Sequence, residues 1–331
     1  MESATTFSVS WPCASVADAP LRDRTTLRVG GTVEWLLEPA DPEELRAALS
    51  AVRERGLALR VLGGGANVVI DDGQLPGVVV TTDRMRRIFR PSQLSEPEAP
   101  LDASMPSGQV APDDVSADPR LVCWAGATLP GLCRAARDLG LSGLEKMAGV
   151  PGHVGGGIAM NAGGKGWQMW DVVEVVRVVD EAGEFRDITR EEWSPSYRDA
   201  HLGDLIVAST VLRFEPRPRL EVQEATREYL RAKNAVQPVS ERSAGCIFKN
   251  PDPELSGGRT AGQLVDEVGG KGRRIGDALI SERHGNFLIN AGNASARDVF
   301  TLIEETRARV LDRSGVDLEP EVKLWRIDEG A

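Results

Sequence analysis

The sequence predicts an α+β protein built from three consecutive units, and three stretches carry that expectation. Between residues 27 and 82 the signals run strand, helix, strand, turn, strand. Residues 171–180 (DVVEVVRVVD) and 205–214 are β-rich runs of a second mixed unit, and from about Glu221 helix and strand alternate again. The expected boundaries are 1–85, 86–215 and 216–331. A length of 331 residues suits two or three units of about 100–200 residues each, and 41 % hydrophobic side chains suffice for sizeable cores.

In the first unit, residues 34–39 and 58–63 read as strands. Residues 43–55 form an amphipathic helix closed by Gly56, and 77–82 is a β-branched apolar run. Residues 91–119 are rich in Pro, Ser, Asp and Glu and contain no Lys or Arg, so they read as a solvated insertion with too little apolar material for a core. A strand at 121–125 and a helix at 129–139, ended by Gly140, reopen regular structure. Arg217, Pro218 and Arg219 form a junction before a helix at 222–232. Ser295 caps a long helix reaching about Leu311, with Asp298 placed to return the hydrogen bond.

A net charge of −11 and a pI near 5.0 argue against general nucleic-acid or anionic-membrane binding. The first 20 residues lack a basic segment followed by an apolar core, and no run approaches the roughly 18 apolar residues of a membrane helix. A cytoplasmic protein is expected. Cys13, Cys123, Cys133 and Cys246 are widely scattered, and no two of the three histidines share helical spacing, so neither a disulfide framework nor a metal site is expected.

Two glycine segments carry the first chemical signal: VLGGGAN (61–67), directly after a strand, and GLEKMAGVPGHVGGGIAMNAGGKG (143–166). Consecutive glycines let backbone N–H groups converge on one concavity, which suits a pyrophosphate; a tight turn is the plainer alternative. Neither segment matches the Rossmann or P-loop patterns. Two such loops far apart in sequence fit one extended dinucleotide lying between two subdomains.

The segments VLGGGANVVIDDG, GLEKMAGVPGHVGGGIAMNAGGKG, SYRDA, SAGCIFKNP, AGQLVDEVGGKGRRIGDALISERHGNFLIN and LEPEVK occur in the order found in UDP-N-acetylenolpyruvoylglucosamine reductases, the MurB family. The chain resembles that family from about Leu27 to Lys323, outside the insertion. It resembles the shorter subgroup, because residues 235–249 run directly into the SAGCIFKNP motif. The resemblance implies an FAD-binding fold of the vanillyl-alcohol-oxidase type made of two subdomains, followed by a substrate-binding domain. It implies non-covalent FAD held by Gly63, Gly64, Gly65, Ala66, Asn67, Gly126, Pro151, Gly152, Val154, Gly155, Gly156 and Asn161. It also implies NADPH as hydride donor and UDP-N-acetylenolpyruvoylglucosamine as the small-molecule partner, with a monomer expected.

The reaction implied is a two-stage hydride relay in which the protein orients the substrate, stabilises developing negative charge and supplies one proton. Arg198 of SYRDA matches the family arginine, whose planar guanidinium can hold a carboxylate with two parallel hydrogen bonds. Glu321 of LEPEV matches the family glutamate beside it. Glu319 is the alternative, and strand alternation would put both on one face. Cys246 stands where most members carry a proton-donating serine; a thiol with a pKa of ~8.5 is a competent acid for an enolate. Taken without the resemblance, a surface arginine paired with Asp199, a solvated carboxylate and a small buried thiol are the ordinary readings. Lys249 and Asn250 are candidates for the substrate diphosphate. His153, Lys165 and Trp167 depart from the usual flavin loop, and His153 is expected to carry no covalent link. Glu282–His284 resembles a turn before a core strand. The competing readings are a flavin oxidase of the same superfamily acting on an alcohol or sugar, and a non-catalytic nucleotide-sugar binder.

Overall fold

Val78, Val79 and Val80 are consecutive and all buried because their strand, Gln74–Thr81, has parallel neighbours on both sides, Thr32–Glu38 and Leu59–Leu62. Helix Pro42–Glu54 covers this sheet with Leu45, Ala48, Leu49 and Val52. Asp41 starts the helix by accepting from the Glu44 N–H at 2.8 Å, and Gly56, at φ +60°, ends it. A fourth strand, Ala14–Pro20, adds antiparallel to the edge of Thr32–Glu38. The computed structural model describes residues 10–91, 118–164 and 166–327. Nearly all of the expected insertion at 91–119, and Lys165, lie outside the described residues.

The second sheet is antiparallel, in the order Phe185–Thr189, Val173–Val179, Ile206–Arg213, Arg120–Trp124, Ile88–Phe89. Helix Leu129–Asp138 packs on it, capped by Thr128 and followed by Gly140 at φ +67°. Trp170 is fully buried in this core, and its indole N–H donates to the Ile158 carbonyl at 3.0 Å. The first two sheets share a core: Val179 and Ala208 of the second pack with Val80 of the first and with Leu49 of its covering helix. A Cβ at Gly126 would lie 1.7 Å from the Thr82 carbonyl oxygen, so glycine is required where the two units touch.

Helix Arg219–Val236 leads into the third sheet, Ser243–Cys246, Phe287–Asn290, Ala278–Ile280, Arg274–Ile275, also antiparallel. Helices Ala261–Glu267 and Ala296–Ser314 complete that core; Ser295 and Asp298 form the expected capping box on the longer one. The chain then crosses back, and Lys323–Trp325 pairs in parallel with Val68–Ile70 of the first unit. No described helix is long and apolar enough to cross a membrane. This is the α+β architecture expected, and it brings the glycine segments, the 196–200 loop and the end of the third unit into one neighbourhood.

Candidate active site

A cleft of about 570 Å³ opens between the first two units, a size typical of ligand sites. Gly63, Thr82, Ala125, Gly155 and Gly156 line it, so both glycine segments share its wall. A Cβ added at Gly156 would meet nothing within 4 Å, and one at Gly63 would meet only His153, at 3.7 Å. These two glycines therefore leave room at the wall, as the backbone of a dinucleotide needs. The residues present fit FAD on that ground.

The other glycines answer to the chain itself. At Gly64 a Cβ would sit 2.8 Å from Gly152 Cα, and Gly65, at φ +61°, would place one 2.0 Å from the Arg24 carbonyl oxygen. A Cβ at Gly152 would meet Ala66 at 3.4 Å, Pro151 is exposed, and Val154 is buried in the second core. The N–H groups of Val154 and Gly155 donate to the carbonyls of Ala127 and Ala125, each at 2.8 Å. His153 is buried, with Nδ1 hydrogen-bonded to Thr82 Oγ1 at 3.0 Å and Nε2 3.5 Å from Asp83 Oδ1. Burial lowers its pKa against the opposing pull of Asp83. Both ring nitrogens face partners of the first unit.

Arg198 sits in a tight turn in which Ser196 and Asp199 exchange backbone hydrogen bonds. Its φ is +60°, a left-handed conformation that costs a non-glycine residue about 1–2 kcal/mol. The turn aims its Nε at Glu321 Oε1, 2.6 Å away, with only 15 % and 14 % of the two side chains exposed. Asp199, the ordinary partner for a surface arginine, instead accepts from the His201 N–H at 2.7 Å. Desolvation raises the Glu321 pKa, and Arg198 pulls it back down. Asn67 connects the glycine loop to this pair: its Nδ2 donates to the Glu321 carbonyl at 3.1 Å, and its own carbonyl accepts from the Lys323 N–H at 3.0 Å.

The expected strand alternation does not hold at the two glutamates. Residues 318–322 make a single bridge, Phe248 to Pro320, and no regular strand. Glu319 consequently lies exposed and pairs with Lys249 Nζ at 2.7 Å, while Glu321 turns toward Arg198. Asn250 uses its Oδ1 to accept from the Ala261 N–H at 3.1 Å, and its own N–H reaches the Tyr197 hydroxyl at 3.4 Å.

Cys246 ends a strand whose register slips between Ser243 and Cys246, with Gly245 at φ +81°. Such a bulge re-aims the side chain that follows it. Desolvation, reinforced by the Glu321 charge, pushes the thiol up to about 12, against the opposing charges of Arg198 and Lys233. A raised thiol pKa means that the proton stays on as pH rises through the usual thiol range and is lost only near the shifted value. If Cys246 supplies a proton, that step stays flat from about pH 7 to 9.5; a donor at the ordinary ~8.5 would lose roughly tenfold per unit above it. Rapid-mixing rates of flavin reoxidation by substrate across that range separate the two cases.

Lys233 escaped the sequence reading. Its Nζ donates to the Ala148 carbonyl at 3.4 Å in the second glycine segment, and burial lowers its pKa. A signal was present: Lys233 falls in phase with Val222, Thr226 and Leu230, the inward stripe of helix Arg219–Val236, where a cation is out of place.

Comparisons with known proteins agree with this fold. The family model described as UDP-N-acetylenolpyruvoylglucosamine reductase, C-terminal domain, matches residues 237–325, and that described as FAD binding domain matches 33–96 and 102–189. The UDP-N-acetylenolpyruvoylglucosamine reductase of Rhodospirillum rubrum is 38 % identical over 308 residues, covering 93 % of this chain and 88 % of its own. That of Desulfosudis oleivorans is 38 % identical over 318 residues, covering 93 % of each. The crystal structure of UDP-N-acetylenolpyruvylglucosamine reductase from Thermus caldophilus superimposes with a TM-score of 0.72 at 35 % identity, covering 95 % of this chain and 98 % of that one. With relatives this similar along nearly the whole chain, the protein belongs to the UDP-N-acetylenolpyruvoylglucosamine reductase family.

Proposed function

We propose that the chain reduces UDP-N-acetylenolpyruvoylglucosamine to UDP-N-acetylmuramate with NADPH, through bound FAD, in the synthesis of peptidoglycan precursors. The observation that carries this reading is the part-buried Arg198–Glu321 pair, whose charges act on the Cys246 thiol. Bound FAD supplies the hydride chemistry between NADPH and the enolpyruvyl double bond. Gly63 and Gly156 would leave the room it needs in the cleft, whose wall Gly155 also lines, and His153 would stay unlinked to it.

Arg198 uses Nε for Glu321, which leaves its terminal nitrogens for the substrate carboxylate. A carboxylate held there shares its developing negative charge with a guanidinium in a poorly solvated site, which favours the enolate-like transition state. Cys246 then places its proton on the substrate carbon. Glu321 fixes the guanidinium as its carboxylate partner, and the thiolate regains its proton from solvent after product leaves. Lys249 and Asn250 receive the diphosphate, Lys249 by exchanging Glu319 for it. The three catalytic candidates converge within one chain, so the site needs no second copy, and we propose a cytoplasmic monomer.

The test is direct. Purified protein is yellow, acid precipitation releases the flavin into the supernatant, and NADPH bleaches it without oxygen. Adding UDP-N-acetylenolpyruvoylglucosamine restores the oxidised spectrum. Reoxidation by air alone, with no response to the UDP-sugar, would favour an oxidase, and flavin retained in the pellet would contradict the non-covalent assignment.

A further inference from the structure

We propose that Asn161 is a positioning residue for this reaction: its buried side-chain amide pins the turn that presents Arg198. The proposal rests on the reading of Arg198 as the group that holds the substrate carboxylate. Asn161 closes the short helix Val154–Ala159, whose Gly155 and Gly156 line the flavin cleft, and it is 1 % exposed. A residue in that loop is readily taken for a cofactor contact. Its bonds point elsewhere.

The amide nitrogen of Asn161 donates to the Ser196 carbonyl at 2.8 Å and to Gln168 Oε1 at 2.9 Å. Its Oδ1 accepts from the Trp170 N–H at 3.4 Å. Both amide hydrogens are therefore engaged within the protein, and neither remains for a ligand. The Ser196 carbonyl it holds also accepts the Asp199 N–H that closes the turn around Arg198. On the other side of Arg198, the Ala200 N–H donates to the Ala159 carbonyl at 3.1 Å. The turn is thus fastened on both flanks to the end of one helix, once by backbone and once by the Asn161 side chain.

Backbone conformation makes that second tie consequential. Arg198 is held at φ +60° and Asn161 at φ +41°, both left-handed. A left-handed arginine relaxes unless its surroundings hold it, and relaxation would swing the guanidinium away from Glu321. Asparagine tolerates the left-handed region better than most residues and brings two donors, which suits it to this position. The same helix thus offers one face to the cleft and anchors the substrate-binding arginine at its end.

The decisive variants are Asn161→Asp, which keeps size and backbone tolerance but removes both donors, and Asn161→Gly, which removes the side chain and accepts positive φ without strain. Each is expected to bind FAD stoichiometrically and to be reduced by NADPH within about two-fold of the parent. Reoxidation by UDP-N-acetylenolpyruvoylglucosamine should slow about 10–100-fold, the scale of a small misplacement of a binding group. In an Arg198→Ala background the same substitutions should add less than about two-fold, because they act through a side chain no longer there. A role as mere structural support, or as a flavin contact, predicts lost FAD, impaired reduction by NADPH, or an undiminished effect on top of Arg198→Ala; any of these overturns the proposal. Unaltered reoxidation in Asn161→Asp overturns it equally. The underlying reading fails separately, if the parent is not reoxidised by the UDP-sugar or if Arg198→Ala alone changes nothing.

Discussion

Replacing Cys246 with alanine is expected to slow reoxidation of the reduced enzyme by UDP-N-acetylenolpyruvoylglucosamine about 10²–10⁴-fold, the usual contribution of a positioned acid. Reduction by NADPH should be nearly unchanged, because no carbon is protonated in that half-reaction. Cys246→Ser should recover much of the loss, because the hydroxyl keeps a proton at the bulged strand end. The structure sharpens the contrast with a passive thiol. A small side chain in a half-buried position mainly supplies packing, and its loss would alter stability while leaving both half-reactions of the folded protein intact. Rapid-mixing absorbance of the flavin follows each half-reaction separately, so the result does not depend on which step limits turnover. Parental reoxidation in Cys246→Ala would remove Cys246 from the mechanism.

Arg198→Ala should produce the second large effect, and it separates stability from activity. The pair Arg198–Glu321 is mostly withdrawn from water, and removing one partner of a buried pair costs about 3–5 kcal/mol. With roughly a seventh of each side chain still exposed, about 1–3 kcal/mol is the reasonable expectation here. Glu321, left without its guanidinium, should take up a proton more readily, since desolvation is the larger influence on it. Arg198→Met combined with Glu321→Gln removes both charges, so most of the lost melting temperature should return. Reoxidation by substrate should remain at least about 10²-fold down in both, because no charged fork is left for the substrate carboxylate. If the double variant is no more stable than Arg198→Ala, the orphaned Glu321 charge is not what destabilises the single variant.

Much of the architecture was legible because its signals are local. Gly56 and Gly140 end helices at the expected places, the box of Ser295 and Asp298 stands at its predicted helix, and the valine runs became strands. The edge strand Ala14–Pro20 was not foreseen, since nearly all its residues are exposed and no apolar alternation marks it. At the site, Arg198, Glu321 and Cys246 came from motif resemblance, and their local sequence alone pointed to ordinary surface or core roles. What could not be read was the set of ties between irregular segments: Asn67 on the Glu321 carbonyl, Asn161 on the Ser196 carbonyl, Lys249 on Glu319. Periodicity describes residues within an element, whereas these bonds join loops far apart in the chain. The alternation expected at Glu319 and Glu321 failed for the same reason, because a lone bridge imposes no two-residue period.

The return of the chain to the first unit also has a kinetic meaning. Asn67 and the glutamate it supports are separated by 254 positions, and the parallel ladder beside them closes a loop of similar span. Loop-closure entropy grows only logarithmically with length, so the folded state loses little by this arrangement. The search for such a contact is slow, however, because distant segments must meet before any bond rewards them. Sheets with nearer partners, such as the hairpin of Val173–Val179 with Phe185–Thr189, can assemble well ahead of it. Closure of the long loop is then the event that brings Glu321 to Arg198. During refolding, the capacity to hold flavin would return first, and the capacity to turn over substrate would follow as a separate, later phase.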